Sequence, residues 1–176
     1  MIEGSETVHF DIHEIRDYYD SDLHNYDFNG LVSIGVSLEN ADFMTDIGVP
    51  EAYNEFVFYG LNDFQTMLIE DVPFIKIGHY TSYGYGLYFK VGCDELFTSS
   101  PYHLPLIYML NKDLKTFFLF HLIRHEISAR MRKEGVYTSY LYAVELRRLY
   151  TEIDPIAMGD VEGYWSHLIE DYETGL

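Results

Sequence analysis

The chain has 176 residues, 48% of them hydrophobic, with 17 Tyr and 12 Phe and a formal net charge of -18 at pH 7. That apolar content excludes an intrinsically disordered chain, which lacks the surface needed to offset ordering entropy, and the length suits one domain, 1–176, with its own core. The charge disfavours nucleic-acid binding through the acidic surfaces, because a duplex carries a negative charge about every 1.7 Å of axis.

The charge is uneven. Residues 1–75 hold sixteen Asp/Glu against one Arg, residues 76–152 seven acids against ten bases, and residues 153–176 six acids and no base. Asymmetry of this kind speaks to partners, not to fold. Cys93 is the only cysteine, so no intramolecular disulfide can form, as in a reducing compartment. The acidic start "MIEGSETVHF" is unlike a signal peptide, and the apolar run "TFFLFHLI" is far too short to cross a bilayer. A cytoplasmic protein is expected.

In chain order, "TVHFDIHEI" alternates, with Val8, Phe10 and Ile12 on one face and His9, Asp11 and His13 on the other, the period of a half-buried strand. His-x-Asp-x-His can offer three metal ligands, but no Cys or Glu completes the set at a diagnostic spacing, so a polar face is expected. "LVSIGVSLEN" alternates through Val32, Ile34, Val36 and Leu38 and predicts a second strand. "NEFVFYG" predicts a third, and "VPFIKIGHYTSYGYGLYFKVG" a hairpin turning near residues 80–86.

The period then changes from 2 to 3.6. "NKDLKTFFLFHLIRHEISARMRKEG" predicts a helix with Asn111 as N-cap, Gly135 past its end and a buried stripe of Phe120, Ile123, Ile127 and Met131. His121 and His125 have the spacing of zinc helices. Leu122, however, stands where a zincin has its glutamate, so both are expected on a solvated face with Ser128 and Arg132. Glu126 and Arg130 are set for an i,i+4 pair. "TSYLYAVELRRLYTEID" predicts a second helix stopped before Pro155. "DVEGYWSHLIEDYE" predicts a third, capped by Asp160, with Trp165, Leu168, Ile169 and Tyr172 on one face. Strands first and helices after predict an α+β fold. A mainly antiparallel sheet over 1–100 should pack with about three helices over 105–176.

No P-loop, Rossmann fingerprint or nucleophile elbow occurs, and Cys93 lies in "KVGCDELF" beside two acids. "GHYTSYGYGLYF" resembles fragments of ADP-ribosyltransferase folds through His79, Gly84 and Gly86. That resemblance implies a nicotinamide dinucleotide site, but no later glutamate is identifiable as catalytic. No cofactor or metal is expected otherwise.

The densest acidic segment is "EIRDYYDSDLHNYDF", where Glu14, Asp17, Asp20, Asp22 and Asp27 are interleaved with Tyr18, Tyr19 and Tyr26 around Arg16. Carboxylates among tyrosines suit a basic groove on another protein. Glu170 and Asp171 offer a second acidic point. In composition the chain resembles the small acidic inhibitors of phages and mobile elements that act on restriction enzymes or CRISPR effectors, some as DNA mimics. The partner expected is a nucleic-acid-binding effector or nuclease. The alternatives are an immunity protein against a toxic nuclease and a small enzyme built on the ADP-ribosyltransferase-like His79/Gly84/Gly86 hairpin.

Overall fold

The computed structural model describes residues 9–82 and 85–175. An antiparallel sheet of seven strands fills the middle of the chain: β1 (Ala52–Tyr53), β2 (Phe56–Phe58), β3 (Gln65–Ile69), β4 (Val72–Tyr80), β5 (Gly86–Lys90), β6 (Leu96–Ser99) and β7 (Ile107–Asn111). The order is β1-β2-β4-β5-β6-β7. The long strand β4 pairs with β3 through residues 72–76 and with β2 through residues 78–80, so two short strands share one edge. Before the sheet come a 3-10 turn (Ile12–Tyr18) and two helices, α1 (Phe28–Ser33) and α2 (Leu38–Asp46). After it come α3 (Leu114–Glu134), α4 (Ser139–Ile153), α5 (Pro155–Gly159) and α6 (Tyr164–Thr174). This is the α+β arrangement predicted.

The N-terminal strands are corrected. Residues 12–18 form a 3-10 turn capped by the Asp11 carboxylate, which accepts from the His13 amide at 2.9 Å. His9, Asp11 and His13 therefore do not share a strand face. Residues 31–40 form a helix, a turn and a second helix. Asp27 caps the first and Ser37 the second, and Gly35 breaks between them at φ +99°. Local capping outweighs an alternating pattern that a short buried helix also satisfies, and Leu38 stays exposed.

The predicted hairpin is present as β4 and β5, although part of its turn lies outside the described residues. A second hairpin, β3–β4, turns through Glu70 and Asp71, both at positive φ (51° and 63°). Such turns favour Asn and Gly, so "ED" gives no signal. Gly78 follows a register shift in β4 and lies so close to β2 that a Cβ there would sit 2.3 Å from the Val57 carbonyl oxygen.

The helical half follows the predicted stripes, with Phe120, Ile123, Ile127, Met131, Trp165 and Ile169 all buried. Its caps differ. Asp113 caps α3, accepting from the Thr116 amide at 2.6 Å, while Asn111 ends β7. The buried Asn111 amide oxygen accepts from the Trp165 indole at 2.9 Å, and its nitrogen donates to Asp154 at 3.3 Å. Gly163 precedes α6, and the Asp160 carboxylate meets the His103 ring instead. Glu126 and Arg130 do not pair: Arg130 turns to Glu145 of α4 at 3.7 Å. Among the described residues no helix is long and apolar enough to cross a membrane.

Two substitutions test this geometry in opposite directions. Asp71→Gly should raise stability by about 1 kcal/mol, since glycine takes the left-handed turn position without steric cost. Gly78→Ala should lower it by roughly 2–3 kcal/mol by forcing β2 from β4. Urea denaturation of both variants measures the two effects.

Candidate protein-interaction site

The acidic segment is held to the fold by Ile15, Arg16 and its three tyrosines. Ile15 is fully buried, and the 3-10 turn packs against α3. Arg16 donates from its guanidinium to the carbonyls of Ile47 and Asp46, closing the C-terminal end of α2. The Tyr19 hydroxyl donates to the Gly48 carbonyl at 3.1 Å, and the Tyr26 hydroxyl to the Tyr59 carbonyl at 2.6 Å. Tyr18 stacks on His125 at 4.8 Å and donates to the Glu126 carboxylate. That hydrogen bond, aided by burial, pushes the Tyr18 hydroxyl up to about 12. Burial raises Tyr19 and Tyr26 as well.

The tyrosines expected to contact a partner are therefore anchors. Tyr26 is only 8% exposed and Tyr19 packs on the core, because each ring finds apolar neighbours and a carbonyl acceptor inside the fold. Glu14, Asp17, Asp20, Asp22 and Asp27 are all exposed. Among the described residues none of them pairs with Lys or Arg, and Arg16, the cation within the segment, is committed to carbonyls.

The C-terminal acids belong to a concave feature that sequence reading missed. Asp171 lines a cavity of about 500 Å³ between the sheet and α6, and Glu170 is exposed beside it. Phe56, Tyr80, Tyr108 and Tyr164 line it with aromatic rings, and Glu55, Glu162 and Asp171 contribute carboxylates. The tight β1–β2 turn, with Asn54 at φ 52°, brings Glu55 to it, where Glu55 accepts from the Tyr164 hydroxyl at 3.3 Å. One wall is the loop between β6 and β7. There His103 is clamped: Nε2 lies 2.7 Å from the Asp160 carboxylate, Nδ1 lies 2.6 Å from the Pro105 carbonyl, and the ring stacks on Tyr108 at 3.8 Å. Flanking this clamp, Tyr102 is 86% exposed, Leu104 89% and Val161 68%. Tyr102 itself lines the cavity, and an exposed aromatic ring beside carboxylates is a feature of a recognition surface.

The expected solvated histidine face is overturned. His121 is fully buried among Tyr53, Phe56, Phe117 and Trp165, because the first half of α3 is enclosed on more sides than one stripe can cover. The Asn54 amide donates to its Nδ1 at 3.3 Å, placing the ring proton on Nε2. Nε2 and the buried Tyr53 hydroxyl have no hydrogen-bond partner among the described residues. His125 is half-buried against Tyr18. Among the described residues no group of three His, Cys, Asp or Glu is placed to hold a metal ion.

The hairpin histidine, His79, faces the Tyr59 hydroxyl at 2.8 Å. Gly86 is without a side chain where the Tyr88 ring lies, since a Cβ there would come within 2.1 Å of it. Gly84 lies outside the described residues. With both ring nitrogens engaged, His103 has none free to take a proton from Ser99 or Ser100 in the cavity wall. In comparisons with protein families, curated proteins and solved structures, the chain matches none.

Burial, then the charges of Arg124 and His125, holds the His121 pKa well below its ordinary 6.5, and burial lowers that of His125. Below pH 6.5 the unfolded chain thus binds protons that the folded chain refuses. Stability is complete above that pH and should fall by up to about 1.4 kcal/mol per pH unit for the fully buried His121 as pH drops toward its folded value, and by less for the half-exposed His125, where solvent screens the effect. Melting temperatures between pH 7.5 and 5.5, above the carboxylate range, should decline. The decline should be shallower in His121→Phe, leaving the share due to His125.

Proposed function

We propose that the chain is a non-enzymatic inhibitor that occupies a basic nucleic-acid-binding site on a nuclease or related effector protein and neutralises it. The observation that carries this reading is the uncompensated state of the exposed carboxylates Glu14, Asp17, Asp20 and Asp22, set on a segment whose tyrosines and single arginine are all tied to the fold. A rigid acidic face raises the encounter rate with a cationic cleft and loses little conformational entropy on docking.

The cavity favours one form of this function. A duplex mimic displays its charges on a convex surface, whereas here Glu55, Glu162 and Asp171 line a hollow beside exposed Tyr102 and Leu104. That shape suits a protein partner with protruding side chains, as for an immunity protein bound to its toxin. A counter-defence inhibitor of phage or mobile-element origin would use the same two surfaces.

The test is capture of partners from host lysate on immobilised protein at low and moderate salt. The expected product is a basic nucleic-acid-acting protein that is released by salt and by a competing DNA or RNA duplex. In Asp17→Asn/Asp20→Asn/Asp22→Asn, association with it should slow on the order of tenfold at low salt, with a flatter salt dependence and no loss of melting temperature. Unchanged binding by the triple variant, or a captured protein indifferent to nucleic acid, counts against the reading.

A further inference from the structure

Resting on that reading, we infer that the cavity between the sheet and α6 receives an arginine side chain of the protein partner. Its volume, about 500 Å³, exceeds one side chain, so residues flanking the arginine enter with it. The walls set the chemistry. Tyr80, Tyr108 and Tyr164 present rings, and a cation near an aromatic face gains attraction that strengthens as water is excluded. Glu55, Glu162 and Asp171 contribute carboxylates from the β1–β2 turn and the two ends of the α6 segment, and among the described residues no Lys or Arg lines the cavity.

The basic groups that are present are engaged. His103 is held by Asp160 at 2.7 Å, and His167 stands between Glu162 at 3.6 Å and Glu170 at 3.4 Å. An anion would meet carboxylates on several sides, and a neutral apolar group would strip water from them without replacing it. A guanidinium suits the site better than an ammonium. It is planar, stacks on tyrosine, sheds water more readily and carries five donors that can serve two carboxylates together.

The probe is Nα-acetyl-arginine methylamide, titrated into the full chain and followed by backbone amide shifts. Saturable shifts are expected at the cavity residues, with the lysine analogue weaker and the uncharged citrulline analogue weaker by roughly tenfold or more. Glu162→Gln/Asp171→Asn should weaken the arginine probe several-fold at unchanged melting temperature, since both carboxylates are exposed. The triple variant at Asp17, Asp20 and Asp22, which lie outside the cavity, should bind it normally. That control separates the two proposals: the acidic-face reading can fail in the capture assay while the cavity still selects arginine. Citrulline binding as tightly as arginine, or no saturable shift in the cavity, overturns the inference. So does spermidine saturating the cavity at lower concentration than the arginine probe, which would identify a free polyamine as the occupant.

Discussion

The enclosure of the first half of α3 is the constraint on which the rest of the molecule depends. Phe117 meets Phe56 and Phe58 of the sheet, Phe118 meets Tyr19 and Tyr53, and Phe120 lies flat on Tyr150 at 3.9 Å with Trp165 across its edge. One helix thus holds the sheet on one side, the acidic segment on another and the last two long helices on a third. Offset and edge-on aromatic pairs add directional preference to area burial, so these contacts fix angles as well as distances. Tyr19 cannot leave α3 without opening this cluster, and Tyr18 is held further along the same helix by His125 and Glu126, so the backbone carrying the flanking Asp17 and Asp20 has a fixed position.

Buried polar groups complete the alignment. Asn40 donates to the Asp94 carbonyl at 2.8 Å and accepts from the Leu114 amide at 3.0 Å, tying α2 to the start of α3 and to the β5–β6 turn. Asp154 caps α5 and accepts from the Lys112 amide at 2.8 Å, while Asn111 links it to Trp165. These bonds join β7, α5 and α6 in one register. Because α6 forms one side of the cavity and β7 supplies Tyr108, the network also sets the cavity's width.

The helical half was legible because three independent signals agree there: apolar residues at helical spacing, Pro155 at a boundary and Gly135 past an end. The N-terminal half was not, because Val32, Ile34, Val36 and Leu38 fit a strand as well as two short helices, and only the caps at Asp27 and Ser37 decide. His121 was misread for a related reason. A stripe predicts one buried face, and a helix covered on several sides buries its polar positions too. At the candidate site the exposure of the acids was legible from their type, but the direction of each tyrosine depended on acceptors such as the Gly48 and Tyr59 carbonyls, far away in sequence. The cavity was hidden altogether, since Glu55, Tyr108 and Tyr164 belong to segments that only the sheet and α6 bring together.

The same residues explain how so acidic a surface coexists with a stable fold. Repulsion among exposed carboxylates is weak in water and is screened beyond about 10 Å at ordinary salt, so it costs the folded state little while remaining attractive to a cationic surface at encounter distance. Placing tyrosines under the acids, with their hydroxyls bonded to carbonyls or to Glu126, puts apolar burial in the very segment that bears the charge. Stability and charge then arise from alternate residues of one stretch. A partner meeting this face encounters an acidic surface already in place, and the ordering that a flexible acidic tail would undergo on binding has been completed during folding.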